Sequence, residues 1–585
     1  MLKTILLCKI CNSAAKLLSV SPIYFLKGSE YMITMRGKGV SKGIAIGRIC
    51  LFKRDKLCIN QFYSDDSNEE MIRFDNAAEL TVNQLDNLYR SALDQVGEED
   101  AEIFNIHKFI LLDPDYSNSI KKYISEEHLT AEYAVALTSE SFAAVFAAID
   151  NEYLRCRSAD VKDVSDRLMK NLMNVQISNN ISDNEQVIFA DDLVPSETIE
   201  LDRSKVLAFC TAFGSNTSHT AILARTMGIP AVCGMGKTGL DEEFDGKAVI
   251  VDGNSGIIYI DPDETVLREM TERHNMETAH KLKLNSLIGK ENVTADGRKI
   301  NIYANIGSID ELSDVISCDA GGIGLFRSEF LFMNGCYPKE EAQFRSYRTV
   351  LKKMNGKPVI IRTADIGADK LPRFSNYGKE ENPALGLRSI RISLTDVDDF
   401  KVQLRALYRA SVFGNLGIMF PMITSVEEIV KVKEIISDVK AELSEKGEPF
   451  SDTVQIGIMV ETPAAVMISD ILAREVDFLS IGTNDLTQYT LAVDRQNGHL
   501  ERFCNPRHTA IMRMIRMTAE NAHKNGAWVG ICGELSADTT LTETFLAMGI
   551  DELSTTPSMV LDLREKVIET DLRNSSVLEA ALNYS

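Results

Sequence analysis

Basic residues are in short supply in this chain: 63 lysines and arginines stand against 85 aspartates and glutamates, a formal net charge of −22. That excess of negative charge repels phosphate backbones, which argues against nucleic acid as a partner and suits a basic protein partner better. Long hydrophobic runs are missing too. Near the start, Lys3, Lys9 and Lys16 break up the apolar stretches, which leaves neither a convincing signal peptide nor a span able to cross a membrane. Cysteine lacks a framework: 11 are scattered over 585 residues, a pattern that fits reduced thiols in a cytoplasm rather than a disulfide scaffold. Cys8-Lys-Ile-Cys11 is a CxxC, but no second pair or nearby histidine completes a zinc site. Proline is almost absent between about Asn68 and Asn174, where Pro114 stands alone.

What remains is ordinary globular material, 44% hydrophobic and 25% charged, long enough for about three or four domains. The run Gly37 to Phe52, rich in glycine and β-branched residues, reads as short strands joined by turns. The proline-poor stretch that follows carries apolar residues at helical spacing, as in Ile103, Phe104, His107, Ile110 and Leu111, and reads as several helices of a bundle. Strand character returns at Val187–Ala190, Val206–Phe209, Ala248–Val251 and Gly256–Ile260. Residues Asp263 to Leu284 are charged and helix-prone, and Asn285 to Arg298 turn loop-like, so 263–298 reads as a linker between two bodies.

Within the second β-rich stretch, Asn216, Thr217 and Ser218 precede an apolar run, Ala221 to Met227, which Gly228 and Pro230 end. This is the pattern of a capped helix with His219 in its first turn. Free N–H groups and the positive end of the helix dipole would hold a phosphate carried on that imidazole. The competing reading is that His219 merely caps the helix.

After the linker, short apolar runs alternate with helical stretches, the mark of repeated βα units and a parallel sheet. Eight candidate strands, Ile300–Ala304, Gly322–Phe326, Pro358–Ile361, Gly417–Pro421, Val454–Val460, Asp477–Ile481, Ala527–Ile531 and Glu552–Ser554, suggest a (β/α)8 barrel. Arg327, Arg362 and Glu461 stand at the C-terminal ends of three of them; Asn484 and Asp485 follow a fourth, and Cys532 with Glu534 a fifth. In a closed barrel these positions converge on the face where barrel enzymes keep their chemistry. Glu461 and Asp485 offer the oxygen ligands that Mg²⁺ takes. Arg327, Arg362 and Arg495 can fork onto phosphate and carboxylate oxygens, and Asn484 can donate to the same anion. The implied substrate carries a phosphoryl group and a carboxylate on a small carbon frame. Where the phosphoryl group of such a substrate is carried on an enol oxygen, its loss leaves an enolate that needs a proton at carbon. Cys532 is placed to supply it; a buried, inert cysteine is the alternative.

Thr217-Ser-His-Thr followed by Ala-Arg-x-x-Gly-Ile-Pro-Ala resembles the phosphohistidine motif of the enzymes that exchange phosphate with phosphoenolpyruvate (PEP): enzyme I of the bacterial sugar phosphotransferase system, pyruvate phosphate dikinase and PEP synthase. The usual form begins Gly-Gly-(Arg/Lys)-Thr-Ser-His, whereas this chain has Gly214, Ser215 and Asn216. Gly324–Met333, Ile361–Lys370, Glu380–Arg388, Gly457–Ala465, Ser480–Arg495 and Gly530–Glu534 resemble the enzyme I barrel, in family order. Position by position, the resemblance implies that His219 is phosphorylated on Nε2. It further implies that Arg327, Arg362, Arg388, Asn484, Asp485 and Arg495 bind PEP, that Glu461 and Asp485 hold Mg²⁺, and that Cys532 is the proton donor.

It also implies an α/β multidomain chain: a swivelling phosphohistidine α/β domain (32–67 and 175–262) with an inserted helical bundle (68–174), then a (β/α)8 TIM barrel (299–567) that binds PEP and dimerises. Residues 1–31 are expected to be a disordered extension and 568–585 a tail. The acceptor would be the phosphocarrier protein HPr, docking on the helical stretch around Glu98 to Leu112, although that helix could equally be plain bundle core. Two other functions stay open. A dikinase or PEP synthase would use ATP, but the space upstream of His219 is small and helical, and no Gly-x-x-x-x-Gly-Lys-(Ser/Thr) stretch appears. A PEP-sensing scaffold with a dead site is disfavoured because every reactive group is intact.

Overall fold

The computed structural model describes residues 23–24, 32–52, 59, 62–96, 98–148, 152–175, 185–202, 205–214, 218–332, 337–367, 380–495 and 497–573. The chain divides into two units, 1–280 and 281–585.

The first unit is built on a nine-stranded sheet. Its strands are β1 (Ile23–Tyr24), β2 (Ile33–Arg36), β3 (Lys38–Ser41), β4 (Ile44–Leu51), β5 (Gln186–Ala190), β6 (Val206–Thr211), β7 (Ala231–Cys233), β8 (Ala248–Asp252) and β9 (Ile257–Ile260), in the order β1-β2-β9-β8-β4-β5-β6-β7-β3. The neighbours β4, β5, β6 and β7 run parallel, and the flanking pairs are antiparallel. Successive residues of a strand face opposite sides, and here both sides are buried. Val187 and Phe189 of β5 enter one apolar cluster, Ile188 and Ala190 the other. Strand β1 falls within the stretch expected to be a disordered extension. It pairs Ile23 with Thr34 and Tyr24 with Ile33, so the sheet starts before residue 32. The rest of 1–31, with Cys8 and Cys11, lies outside the described residues.

Between β4 and β5 come five helices: α1 (Ser67–Val96), α2 (Glu98–Leu112), α3 (Pro114–Glu126), α4 (Ala131–Ala147) and α5 (Glu152–Leu172). Parallel neighbours need a long crossover connection, and this bundle is that connection, since Ile49 of β4 still registers with Val187 of β5. Pro114 starts a helix rather than breaking one: Asp113 caps α3 by accepting from the N–H groups of Asp115 and Tyr116. Tyr116, Ile120 and Ile124 then fall on one face and are buried. On α2, Phe104, His107 and Leu111 are buried as their spacing predicts, whereas Phe109 and Leu112 are exposed. Among the described residues the remaining α-helices of this unit are α6 (Pro195–Glu200), α7 (His219–Met227) and α8 (Glu264–Asn285), the last crossing the division between the units.

The second unit is a closed, all-parallel barrel of β10 (Asn301–Ile306), β11 (Ile323–Arg327), β12 (Pro358–Arg362), β13 (Asn415–Phe420), β14 (Gln455–Val460), β15 (Phe478–Ile481), β16 (Trp528–Ile531) and β17 (Glu552–Thr555). Pairing of β10 with β17 closes it. All eight candidate strands are present, with ends moved by a residue or two. Inside sit Leu325, Ile360, Met419, Met459, Phe478 and Cys532, with the rings of Phe478 and Trp528 stacked 4.6 Å apart. The larger core lies between the strands and the surrounding helices. The loop-like end of the expected linker belongs to this unit: the buried guanidinium of Arg564 donates to Leu287 O and to Asn292, and Ala295 N–H donates to Thr570 O.

Candidate active site

A parallel barrel delivers the residue after each strand to one rim, and here that rim encloses a cavity of about 680 Å³. Arg327 and Arg362, the last residues of β11 and β12, lie side by side in the register. Both line the cavity, as do Arg388, Glu461, Asn484, Asp485, Arg495 and Cys532. The structure therefore gathers into one space every barrel residue that the sequence singled out.

The arginines are held by acids that sequence reasoning passed over. Arg362 Nη2 lies 2.9 Å from Glu329 Oε1, and its Nη1 lies 3.1 Å from Asp365 Oδ2. Arg388 Nη2 lies 2.9 Å from Asp365 Oδ1, its Nη1 donates to the Tyr489 hydroxyl, and Asp365 accepts a further bond from the Ser389 hydroxyl. Asp365 is thus clamped between two cations. Burial opposes its charge, but Arg362 and Arg388 bring its pKa down to about 2. Burial equally opposes the charge on Arg362, yet Glu329, Asp365 and Glu461 hold its pKa above the ordinary arginine value. The Nε–H of Arg362 is buried and has no hydrogen-bond partner, an unspent donor at the cavity. Asp365 and Glu329 stand inside the stretches Ile361–Lys370 and Gly324–Met333, Asp365 three residues after its partner Arg362 and Glu329 two residues after Arg327, but the pairing of Glu329 with Arg362 spans 33 residues.

Across the cavity, Glu461 is 1% exposed and its Oε1 accepts from Met422 N–H at 2.6 Å. Burial first, then the nearby carboxylates of Asp365 and Asp485, raise its pKa to about 8. Asp485 sits in the first turn of the helix Thr483–Leu491, with Arg495 Nη2 at 3.6 Å from its Oδ1. A surplus of carboxylate oxygens that raises proton affinity is also what a hard divalent cation relieves, so the donor set Glu461 and Asp485 fits such an ion chemically. Among the described residues no cluster of three or more potential ligands is preassembled.

Asn484 and Glu534 bind each other reciprocally: Asn484 Nδ2 donates to Glu534 Oε1 at 3.0 Å, and Glu534 N–H to Asn484 Oδ1 at 3.1 Å. The close approach depends on Gly533, where a Cβ would lie 2.0 Å from Thr483 Oγ1. Cys532 is buried, its thiol directed to Ile481 O at 3.7 Å. Burial, then Glu552 and Glu461, push its pKa up to about 12, so it holds its proton firmly.

In the first unit His219 is the first residue of α7. Ser218 is the N-cap, accepting from Ala221 N–H at 3.4 Å, and Gly228 closes the helix with a left-handed φ of 65°. The capping role weighed for His219 therefore falls to Ser218. The His219 side chain and Asn216 lie outside the described residues.

Three stretches match known families: 36–157 matches PEP-utilising enzyme, N-terminal; 182–256 PEP-utilising enzyme, mobile domain; and 281–572 PEP-utilising enzyme, PEP-binding domain. The chain is 40% identical over 538 residues to phosphoenolpyruvate-protein phosphotransferase of Bacillus subtilis (strain 168), covering 92% of this chain and 94% of that one. It is 42% identical over 536 residues to the protein of the same name from Geobacillus stearothermophilus, covering 91% and 93%. An NMR solution structure of an enzyme I protein (nEIt) matches 42% of this chain and 99% of its own at 35% identity, with a TM-score of 0.37. With likeness running along nearly the whole length of such relatives, and through all three kinds of PEP-utilising domain, the chain belongs to the phosphoenolpyruvate-protein phosphotransferases, the enzyme I family.

Proposed function

We propose that PEP binds in the barrel cavity with a magnesium ion and gives its phosphoryl group to His219. From there the group goes to a histidine of the phosphocarrier protein HPr, with pyruvate released, as the first step of sugar uptake by the phosphotransferase system. The observation that carries this reading is the cavity itself, where arginines face carboxylates and a thiol on the rim that barrel enzymes use. Arg327, Arg362, Arg388 and Arg495 neutralise and orient the phosphate and carboxylate oxygens of PEP, with Asn484 donating a further hydrogen bond. Asp365 and Glu329 hold two of these side chains in place beforehand, so little reorganisation is left for the moment of binding. Glu461 and Asp485 would hold the magnesium ion, which would supply charge stabilisation for the phosphoryl group and the leaving enolate.

The enolate left behind takes a proton at carbon from Cys532, whose buried thiol keeps its proton until a strong base appears beside it. His219, at the start of α7, offers the phosphoryl group a site where helix N–H groups point outward. Passing the group through a covalent phosphohistidine divides one transfer into two easier ones. HPr docks on the bundle near α2, where Phe109 and Leu112 are exposed and available to a partner. The connection 263–298 absorbs the motion between the two transfers. The chain works in the cytoplasm as a homodimer through its barrel; no helix among the described residues is long and apolar enough to cross a membrane.

The test is labelling. Incubation with PEP labelled on phosphorus and Mg²⁺ should place acid-labile, base-stable phosphate on the wild-type chain and none on His219→Ala, as read by mass spectrometry with and without HPr. Label from ATP but not from PEP would replace this reading with that of a dikinase.

A further inference from the structure

One layer beneath Cys532, the barrel interior is polar where branched apolar side chains ordinarily fill it. The register sets Ser480 of β15 opposite Gly530 of β16, and Gly530 opposite Glu552 of β17. A Cβ on Gly530 would lie 2.0 Å from Glu552 Oε2, and one on Gly324 of β11 would lie 2.4 Å from Oε1. Two glycines thus clear the volume into which the Glu552 side chain extends, and a methyl group at either would displace it. Cys532, two residues beyond Gly530, lines the cavity; Glu552, 1% exposed, stands behind it.

This layer holds hydrogen-bonding capacity in reserve. Glu552 Oε1, Ser554 Oγ and Ser480 Oγ are all buried without a hydrogen-bond partner. The Ser480 hydroxyl lies near the Cys532 thiol, and the Ser554 hydroxyl near the Glu552 carboxyl. The titratable groups that feel Glu552 are Tyr303 of β10 and Cys532 of β16, neither of them cationic at neutral pH. With no cation acting on it, burial raises the pKa of Glu552 to about 8, so at neutral pH it is a carboxylic acid with a proton to give.

We propose that Glu552 is the proton store from which Cys532 is recharged in each turnover. The inference rests on the reading of Cys532 as proton donor. When the Cys532 S–H bond breaks and a C–H bond forms on the enolate carbon, a thiolate is left in the barrel interior, where burial disfavours it. The Glu552 O–H bond then breaks as the S–H bond re-forms, with the Ser480 hydroxyl beside the thiol and the Ser554 hydroxyl beside the carboxyl. The resulting carboxylate recovers its proton from solvent water after pyruvate leaves. One proton is consumed per pyruvate, as the net reaction requires. Glu552 never touches the substrate; it acts through the thiol.

The experiment compares the full-length wild type with Glu552→Gln, in PEP, Mg²⁺ and HPr. The amide preserves shape and neutrality but cannot supply a proton. Expected are an unchanged KM for PEP, a normal first equivalent of pyruvate, and a steady-state kcat lower by about tenfold or more. The wild-type kcat is expected to fall as pH rises through about 8, where the store empties, and Glu552→Gln should lack that fall. Wild-type kcat with a wild-type pH profile would overturn the proposal. Should Glu552→Gln not fold, Ser480→Ala serves in its place, with kcat expected to drop at constant KM; an unaltered kcat counts against the store. Cys532→Ala keeps the two readings apart. If it still makes pyruvate at the wild-type rate, the donor reading falls and the store with it; if it is inactive while Glu552→Gln is normal, only the store falls.

Discussion

At the scale of single residues, the site is governed by how buried charges are paired. Asp365, with its side chain 6% exposed, is the shared counter-ion of Arg362 and Arg388. Removing one partner of a buried ionic group typically costs about 3–5 kcal/mol, because charge is left without compensation. Asp365→Asn is therefore expected to lower the stability of the barrel by an amount of that order at neutral pH, measured by urea unfolding. The pH dependence has a definite sign. The pKa of Asp365 is depressed in the folded chain, so its contribution is fully present above the ordinary carboxylate range and is lost as pH falls toward about 2. The difference between wild type and variant should shrink over that interval. A polyanion such as PEP should also restore more stability to the variant than to the wild type, since it supplies the missing negative charge.

At the scale of elements, the working parts sit where regular structure stops. Strand ends present Arg327 and Arg362, Glu461 directly follows β14, and Asp485 and His219 fall at helix starts. The start of α7 depends on one cap, Ser218, whose bond to Ala221 N–H is long at 3.4 Å. Caps contribute about 0.5–2 kcal/mol, and that length places this one in the lower half of the range. Ser218→Ala is expected to lower the melting temperature of the first unit by roughly 2 °C, following from a loss of about 1 kcal/mol. The barrel transition should not move. Calorimetry that shows equal shifts in both units would mean that the cap is not a local device.

At the scale of the molecule, two units with separate cores should not melt as one. Calorimetry is expected to resolve two transitions. PEP with Mg²⁺ at 100 times its dissociation constant contributes about 2.7 kcal/mol to whatever binds it, roughly 4 °C for a unit the size of the barrel. Only the barrel transition should rise. A shift confined to the first unit would place the PEP site elsewhere, and Arg362→Leu should remove the shift altogether.

Much of this was legible beforehand because the signals are local or periodic. Alternating apolar runs announce the eight barrel strands, and a polar residue, an apolar run and a glycine announce α7. Arg327, Arg362, Glu461 and Cys532 could be picked out because strand ends in a closed barrel share one rim, whereas Arg388 was marked by family resemblance alone. The sequence by itself therefore determined the class of fold, the order of its parts and the chemical types in the cavity. It did not determine the pairings. Asp365 meets Arg388 across 23 residues, Asn484 meets Glu534 across 50, and Glu552 stands over Gly530 on the neighbouring strand. Such contacts, and the proton affinities that burial and neighbouring charge impose on Glu461, Cys532 and Glu552, depend on distances between strands that no periodicity encodes. Only barrel closure decided them, by fixing which side chains share a volume from which water is excluded.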